Sequence, residues 1–195
     1  MARALSMTES NFSIADPQDS LVVVMDVQQK LISAMPTEAK ENVIEKINTL
    51  LTIANTLSIP IVVTEQYPDG LGHTVPALNE QLTSLVAVIE KTSFSAFDAL
   101  GFAELIDQSG RKQIVLVGME AHICILQTAL ALQKAGFRVF VVEDAVISRT
   151  KTNQDNGLRR LRNAGVIVTN VESIFFEWMG DASRAEFKVL AKLII

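Results

Sequence analysis

Six short apolar runs, rich in Val and Ile and separated by helix-like patterns, constrain this chain more than any other feature. They are LVVVMD (21–26), PIVVTE (60–65), VAVIEK (86–91), QIVLVG (113–118), RVFVVED (138–144) and VIVTN (166–170). Little polar alternation interrupts them, as expected of strands covered on both faces in a parallel sheet. Between the first two runs, Val43, Ile44, Ile47, Leu50, Leu51, Ala54 and Leu57 recur at spacings of three and four. That spacing predicts an amphipathic helix, with Thr37 as its N-cap. Ala129, Leu130, Leu132 and Lys134 continue a helix that stops at Gly136, and Leu158, Leu161 and Arg162 continue one that stops at Gly165. Each stop is an Ala-Gly pair with a strand close behind it, and glycine accepts the left-handed position that ends a helix. Two more helical patterns, around 174–179 and over 184–194, close the chain. Strands alternating with helices predict right-handed βαβ units in a doubly wound α/β sheet. The expected organisation is one domain over 20–195, preceded by a flexible arm over 1–19. The stretch 66–85, with Tyr67, Pro68, Gly70, Gly72 and Pro76, reads as a loop holding at most a short helix. Loops of that kind lie over binding crevices.

The formal charge of −5 and the lack of any basic run argue against a nucleic-acid partner, which would need clustered Lys and Arg. The apolar runs are strand-sized and too short to cross a membrane. The opening MARALSMTES lacks the apolar core of a secretory signal, so a cytoplasmic location is expected. A single cysteine can form neither an internal disulfide nor a thiolate metal cluster.

Open α/β sheets bind ligands at the carboxyl ends of their strands. Here the runs end in Asp26, in Glu65, in Lys91, in Gly118 followed by Glu120-Ala121-His122-Ile123-Cys124, and in Glu143-Asp144. An acid, a cation and the chain's one thiol therefore converge on one rim. Cys124 also precedes the helical stretch 125–130. A lone cysteine is usually a small buried hydrophobe, but a helix N-terminus and a nearby Lys both favour the reactive thiolate. A depressed thiol pKa is expected, opposed by Asp26. No dinucleotide fingerprint, P-loop or serine-hydrolase elbow occurs. His73 and His122 lack a metal-binding H-x-x-x-H spacing, and either could line a pocket, cap a turn or face solvent.

At these residues the sequence resembles the isochorismatase-like cysteine hydrolases, a superfamily that includes nicotinamidases. The carrying motifs are VVVMDVQ, KTSFSAF and LVGMEAHICILQTALALQKAGFRVFVVEDAVISR. TEQYPDGLG and the closing GDASRAEFKVLAKLI are similar to the branch of isochorismatase domain-containing proteins. The resemblance implies a three-layer αβα fold, its six-stranded parallel sheet ordered 3-2-1-4-5-6. It implies an Asp-Lys-Cys triad at Asp26, Lys91 and Cys124, and a cis peptide at Met119–Glu120 that turns the Glu120 and Cys124 amides toward an oxyanion. Nicotinamidases hold a metal through an aspartate and histidines after the second strand, a set that the stretch 65–73 does not reproduce. No metal and no cofactor are therefore expected. The cysteine favours amide or related acyl chemistry, with metal-independent ether hydrolysis and a scaffold role as alternatives. Gln28, Tyr67, Phe94, Phe97 and His122 are the candidate pocket residues, suggesting a small, partly apolar substrate. Ile174, Phe175, Phe176, Trp178 and Met179 crowd the region after the last strand, more than one small domain is expected to cover, and they predict a homo-oligomer.

Overall fold

Each of the six apolar runs forms a strand, and all pair in parallel in the order β3-β2-β1-β4-β5-β6. A computed structural model describes residues 14–78, 81–82 and 86–194. The strands are β1 (Ser20–Met25), β2 (Ile61–Gln66), β3 (Ala87–Lys91), β4 (Gln113–Met119), β5 (Arg138–Ile147) and β6 (Ile167–Thr169). The helices are α1 (Gln29–Ser33), α2 (Thr37–Thr56), α3 (Pro68–Leu71), α4 (Phe102–Ser109), α5 (Leu126–Lys134), α6 (Lys151–Asn163), α7 (Val171–Met179) and α8 (Phe187–Leu190).

Side chains alternate along a strand, so β1 feeds two cores. Val22 and Val24 join Ile47, Leu50 and Leu51 of α2, Phe175 and Trp178 of α7, and Leu190 of α8. Leu21, Val23 and Met25 join Phe102 and Ile106 of α4, Leu126, Ala129 and Leu132 of α5, and Leu158 and Leu161 of α6. This is the expected three-layer αβα fold.

Several expectations need correction. Thr37 is the first residue of α2, and Pro36 stands at the N-cap with no side-chain cap. Proline needs no N–H there, and its fixed φ suits a helix entrance. β3 is an edge strand and alternates, with Val88 and Glu90 exposed, because only one neighbour and one layer cover it. Helices α1 and α4 escaped the sequence reading, α1 for having five residues and α4 for burying only Phe102 and Ile106. The last helical pattern shrinks to α8 and a 3₁₀ turn, Ala191–Leu193. The aromatic crowd on α7 is covered within the chain. Ile174, Phe175, Trp178 and Met179 are buried, Phe175 stacks on Phe187 at 5.8 Å, and the Trp178 indole N–H donates to Ser20 Oγ at 2.9 Å. Only Phe176 stays exposed there, so this region no longer argues for assembly.

The stretch read as a loose arm is anchored where it is described. Ala15 is buried and its N–H donates to Glu177 Oε2 at 2.7 Å, while the Asp16 N–H donates to Gln113 Oε1 at 2.7 Å. Residues 1–13 lie outside the described residues.

β1 and β4 approach closely just below the rim. Gly118 faces Met25 in the β1–β4 register and has φ +111°, and a Cβ there would overlap the Met25 carbonyl oxygen. Gly118→Ala should therefore cost roughly 3 kcal/mol or more, combining overpacking with backbone strain. Denaturant unfolding would measure it, and a loss below about 0.5 kcal/mol, the range of an ordinary surface change, would sink the argument.

Candidate active site

The strand order sets β1 between β2 and β4, so the tips of β3, β2, β1 and β4 stand side by side. Asp26 follows the end of β1 in a left-handed backbone conformation (φ 54°), which Asp tolerates better than most residues. Its N–H donates to the Thr64 carbonyl at 3.0 Å, and its own carbonyl accepts the Gln28 N–H at 2.8 Å. These bonds end the strand and turn the carboxylate inward, where it is wholly buried.

Lys91, at the end of β3, reaches across β2 to this carboxylate. Its ammonium donates to Asp26 Oδ2 at 2.8 Å and to Gln66 Oε1 at 2.6 Å. It also approaches the carbonyls of Ser93 at 3.3 Å and Phe94 at 3.5 Å, and Cys124 Sγ at 3.7 Å. Both charged groups are fully shielded from solvent. The other carboxylate oxygen, Asp26 Oδ1, accepts the Thr64 hydroxyl at 2.6 Å.

The chain leaves β4 through a cis peptide, Met119–Glu120, and enters a π-helical turn, Ala121–Ile125, which runs into α5. The turn is defined by Ile125 N–H donating to the Glu120 carbonyl, five residues back, at 3.3 Å. Turns of this kind concentrate at functional sites. Two side chains, one just before the turn and one within it, tie it to the segment after β5. Glu120 Oε2 accepts the Arg149 N–H at 2.9 Å and Arg149 Nε at 3.1 Å, and His122 Nδ1 bonds Ser148 Oγ at 2.9 Å. Gly157 of α6 lies against its back, where a Cβ would come within 2.9 Å of the Ala121 carbonyl oxygen.

Asp26, Lys91 and Cys124 thus meet in one buried cluster. The thiol does not carry the depressed pKa expected of it. Burial pushes Cys124 up to about 12, the Asp26 carboxylate acts in the same direction, and Lys91 opposes both without prevailing. Only 6 % of Cys124 is exposed, and a thiolate there would lose its water. At rest the site holds a neutral thiol beside an ion pair.

The proposed pocket residues separate. Gln28 is fully buried, and its amide is spent on backbone: Nε2 donates to the carbonyls of Gln66 at 2.9 Å and Gly72 at 2.5 Å, and Oε1 accepts the Gln66 N–H at 2.7 Å. It is a strut for the loop after β2 and not a pocket wall. Tyr67 and Phe94 are exposed, His122 is half-buried in the π-helical turn, and Phe97 packs partly into the core. A cleft of about 410 Å³ beside β3 is lined by Tyr67, Lys91, Ser93 and Leu100 among others. Sequence reasoning passed over Thr64, Gln66, Ser148 and Arg149. The signal for the first two was available, since period-2 alternation carries the side of Val62 on to Thr64 and Gln66.

Glu65 points the other way. Its Oε1 accepts the N–H and hydroxyl of Thr74 at 2.6 and 2.7 Å, and Oε2 bonds His73 Nδ1 at 2.8 Å. Burial pushes Glu65 up, but the Thr74 and His73 contacts outweigh it and leave the carboxyl below its usual value. Glu65 and His73 are thereby committed to each other and to the loop. Among the described residues no group of three or more His, Cys, Asp or Glu side chains could hold a metal ion. The residues present do not fit the metal site of nicotinamidases.

Residues 20–173, which contain the whole cluster, match the Isochorismatase domain. The chain belongs to the isochorismatase family. Among its relatives, the secreted isochorismatase effector Isc1 of Phytophthora sojae is 36 % identical over 98 % of this chain and 91 % of its own length. Isochorismatase domain-containing protein 2A of Mus musculus is 36 % identical over 91 % of this chain and 84 % of its own. The solved MAR1 ribonuclease of Caenorhabditis elegans superposes with TM-score 0.86 at 36 % identity, over 93 % of this chain and 92 % of its own. The Escherichia coli YcaC gene product, an octameric hydrolase of unknown specificity, shares the fold with TM-score 0.83 at 24 % identity, over 92 % and 88 % of the two chains. This isochorismatase-family chain has, among its described residues, no helix long and apolar enough to cross a membrane. The secreted relative shows that the family is not confined to the cytoplasm expected here.

Because the folded thiol titrates above its ordinary value, its contribution to stability is complete below that value and is lost as pH rises toward about 12. Iodoacetamide should accordingly alkylate Cys124 at pH 7.5 at least roughly tenfold more slowly than a free thiol of pKa about 8.5. Asp26→Asn, which removes the opposing anion, should speed the reaction, and Lys91→Ala should slow it. Wild-type alkylation at the free-thiol rate would rule out the neutral resting thiol.

Proposed function

We propose that this chain is a cysteine-dependent hydrolase of a small amide or related acyl substrate, with Cys124 as nucleophile. The observation that carries the reading is the dry contact of the three groups: Lys91 Nζ lies 2.8 Å from Asp26 and 3.7 Å from Cys124 Sγ. A carboxylate with no access to water, beside a neutral thiol, is arranged as a general base that acts when the sulfur attacks.

In the proposed reaction Asp26 takes the Cys124 proton as Sγ bonds to the substrate carbonyl carbon. The carbonyl oxygen becomes an oxyanion, held by the backbone N–H groups of Glu120 and Cys124. The intermediate collapses, the C–N bond breaks, and Asp26 returns its proton to the departing nitrogen. Water then adds to the thioester and gives a proton to Asp26. The C–S bond breaks, the carboxylic acid leaves, and the proton returns to sulfur. Lys91 stays charged throughout, offsetting the anion that moves between Asp26, sulfur and the carbonyl oxygen. Tyr67, Phe94 and His122 are proposed to flank the substrate.

One observation favours a second reading, a scaffold that keeps the triad without turnover: the sulfur is almost wholly covered. A ribonuclease reading, prompted by the name of the C. elegans relative, has the net charge of −5 against it. Self-association is proposed as well. Support comes from the octameric E. coli relative and from Tyr67, Val88, Phe94 and Leu100, which stay exposed on and around β3.

Two measurements test these proposals. After incubation with a library of amides and esters, peptide mass spectrometry should find an acyl adduct on Cys124, unaffected by prior EDTA treatment and absent from Cys124→Ala. An unmodified cysteine and no turnover across the library would favour the scaffold. Sedimentation at micromolar concentration should give a species larger than the monomer, and Leu100→Asp should shift it toward the monomer. A monomeric wild type would refute assembly.

A further inference from the structure

The ion pair at the centre of the site is not between neighbouring strands. Lys91 ends β3 and Asp26 follows β1, with β2 between them. Two strand spacings, about 10 Å, separate the backbones they hang from. The side chains at the tip of β2 occupy the gap. Thr64 and Gln66 lie on the same side of β2 as Val62, the side whose core includes Cys124, and Glu65 lies on the other with Val63.

Thr64 pairs with Met25 in the β1–β2 register and is fully buried. Its hydroxyl has one proton, and it goes to Asp26 Oδ1 at 2.6 Å, while Lys91 supplies Oδ2 at 2.8 Å. An ionised carboxylate can only accept, so each oxygen holds one fixed donor from a different strand. Two donors on opposite oxygens stop rotation about the Cβ–Cγ bond. The carboxylate that hydrogen-bonds the Cys124 thiol is thereby held in one orientation. A hydroxyl also suits both protonation states of the carboxyl, because it can turn from donor to acceptor when the acid carries a proton, which an ammonium cannot do.

We propose that Thr64 is a positioning residue of this site, its hydroxyl fixing the orientation in which Asp26 receives the Cys124 proton. This rests on the reading of Asp26 as the base for Cys124, and extends it to a group that touches neither substrate nor sulfur. Without the hydroxyl, Asp26 is no longer fixed and has one donor fewer, so its less compensated charge opposes ionisation of the thiol more strongly.

The test is iodoacetamide labelling of the full chain at pH 8, which needs no substrate. Thr64→Val keeps the shape of the side chain and should slow alkylation of Cys124 roughly three- to fivefold, the size of one net hydrogen bond. Thr64→Ser, which keeps the hydroxyl, should react at the wild-type rate. In an Asp26→Asn background Thr64→Val should have no effect, because a residue acting through the carboxylate loses its influence with it. If Thr64→Val does not fold, Thr64→Ala against Thr64→Ser makes the same comparison. An unchanged rate in the folded variant, or an effect that persists with Asp26→Asn, overturns the proposal for Thr64. Asp26→Asn alone alkylating like wild type would instead overturn the underlying reading of Asp26, so the two failures are distinguishable.

Discussion

The site depends on one costly arrangement, a carboxylate and an ammonium placed together out of water. Burying such a pair costs several kcal/mol per ion, and it persists only where geometry is good and the remaining donors and acceptors are satisfied. Here Asp26 has a donor on each oxygen, and Lys91 faces Gln66 Oε1 and two carbonyls besides its partner. Those groups come from β1, β2 and β3 and from the segment after β3. The central strands therefore cannot slip against one another without leaving a buried charge short of a partner. Such a loss typically costs about 3–5 kcal/mol, which ties sheet register to chemistry.

The same pair explains the state of the thiol. Cys124 sits at the start of a helical stretch and near a lysine, both of which favour ionisation. Yet the lysine's charge is already balanced by Asp26, and burial removes the solvent a thiolate needs. Local features visible in the sequence predicted activation, and the tertiary environment reverses it at rest. In the proposed reaction, the proton's path to Asp26 takes over the role that a low pKa would have played.

Much of the fold was legible because parallel strands buried on both faces leave unbroken Val-Ile runs, and because Gly136 and Gly165 mark helix ends. The three central residues were legible for a related reason: residues at strand tips in such a sheet share one rim. The sequence reading placed the end of β2 one residue early, at Glu65, and so singled out the carboxylate that faces the opposite layer while passing over Thr64 and Gln66. Gln28 reads as a polar lining residue because nothing local reveals that its amide is consumed by Gln66 and Gly72. The apolar cluster on α7 suggested an interface, because a short terminal segment carrying Phe187 and Leu190 gives little warning that it will fold back as a cover.

The division of labour along β2 has an evolutionary consequence. Its even-numbered tip residues face Asp26 and Lys91, while Glu65 grips the loop that carries His73 and Thr74. Substitutions among the loop residues beyond those grips can reshape what the crevice admits without disturbing the machinery on the other side of the strand. A lineage built on this plan can change its diet while conserving its reaction, with a single alternation of side chains as the partition between the two.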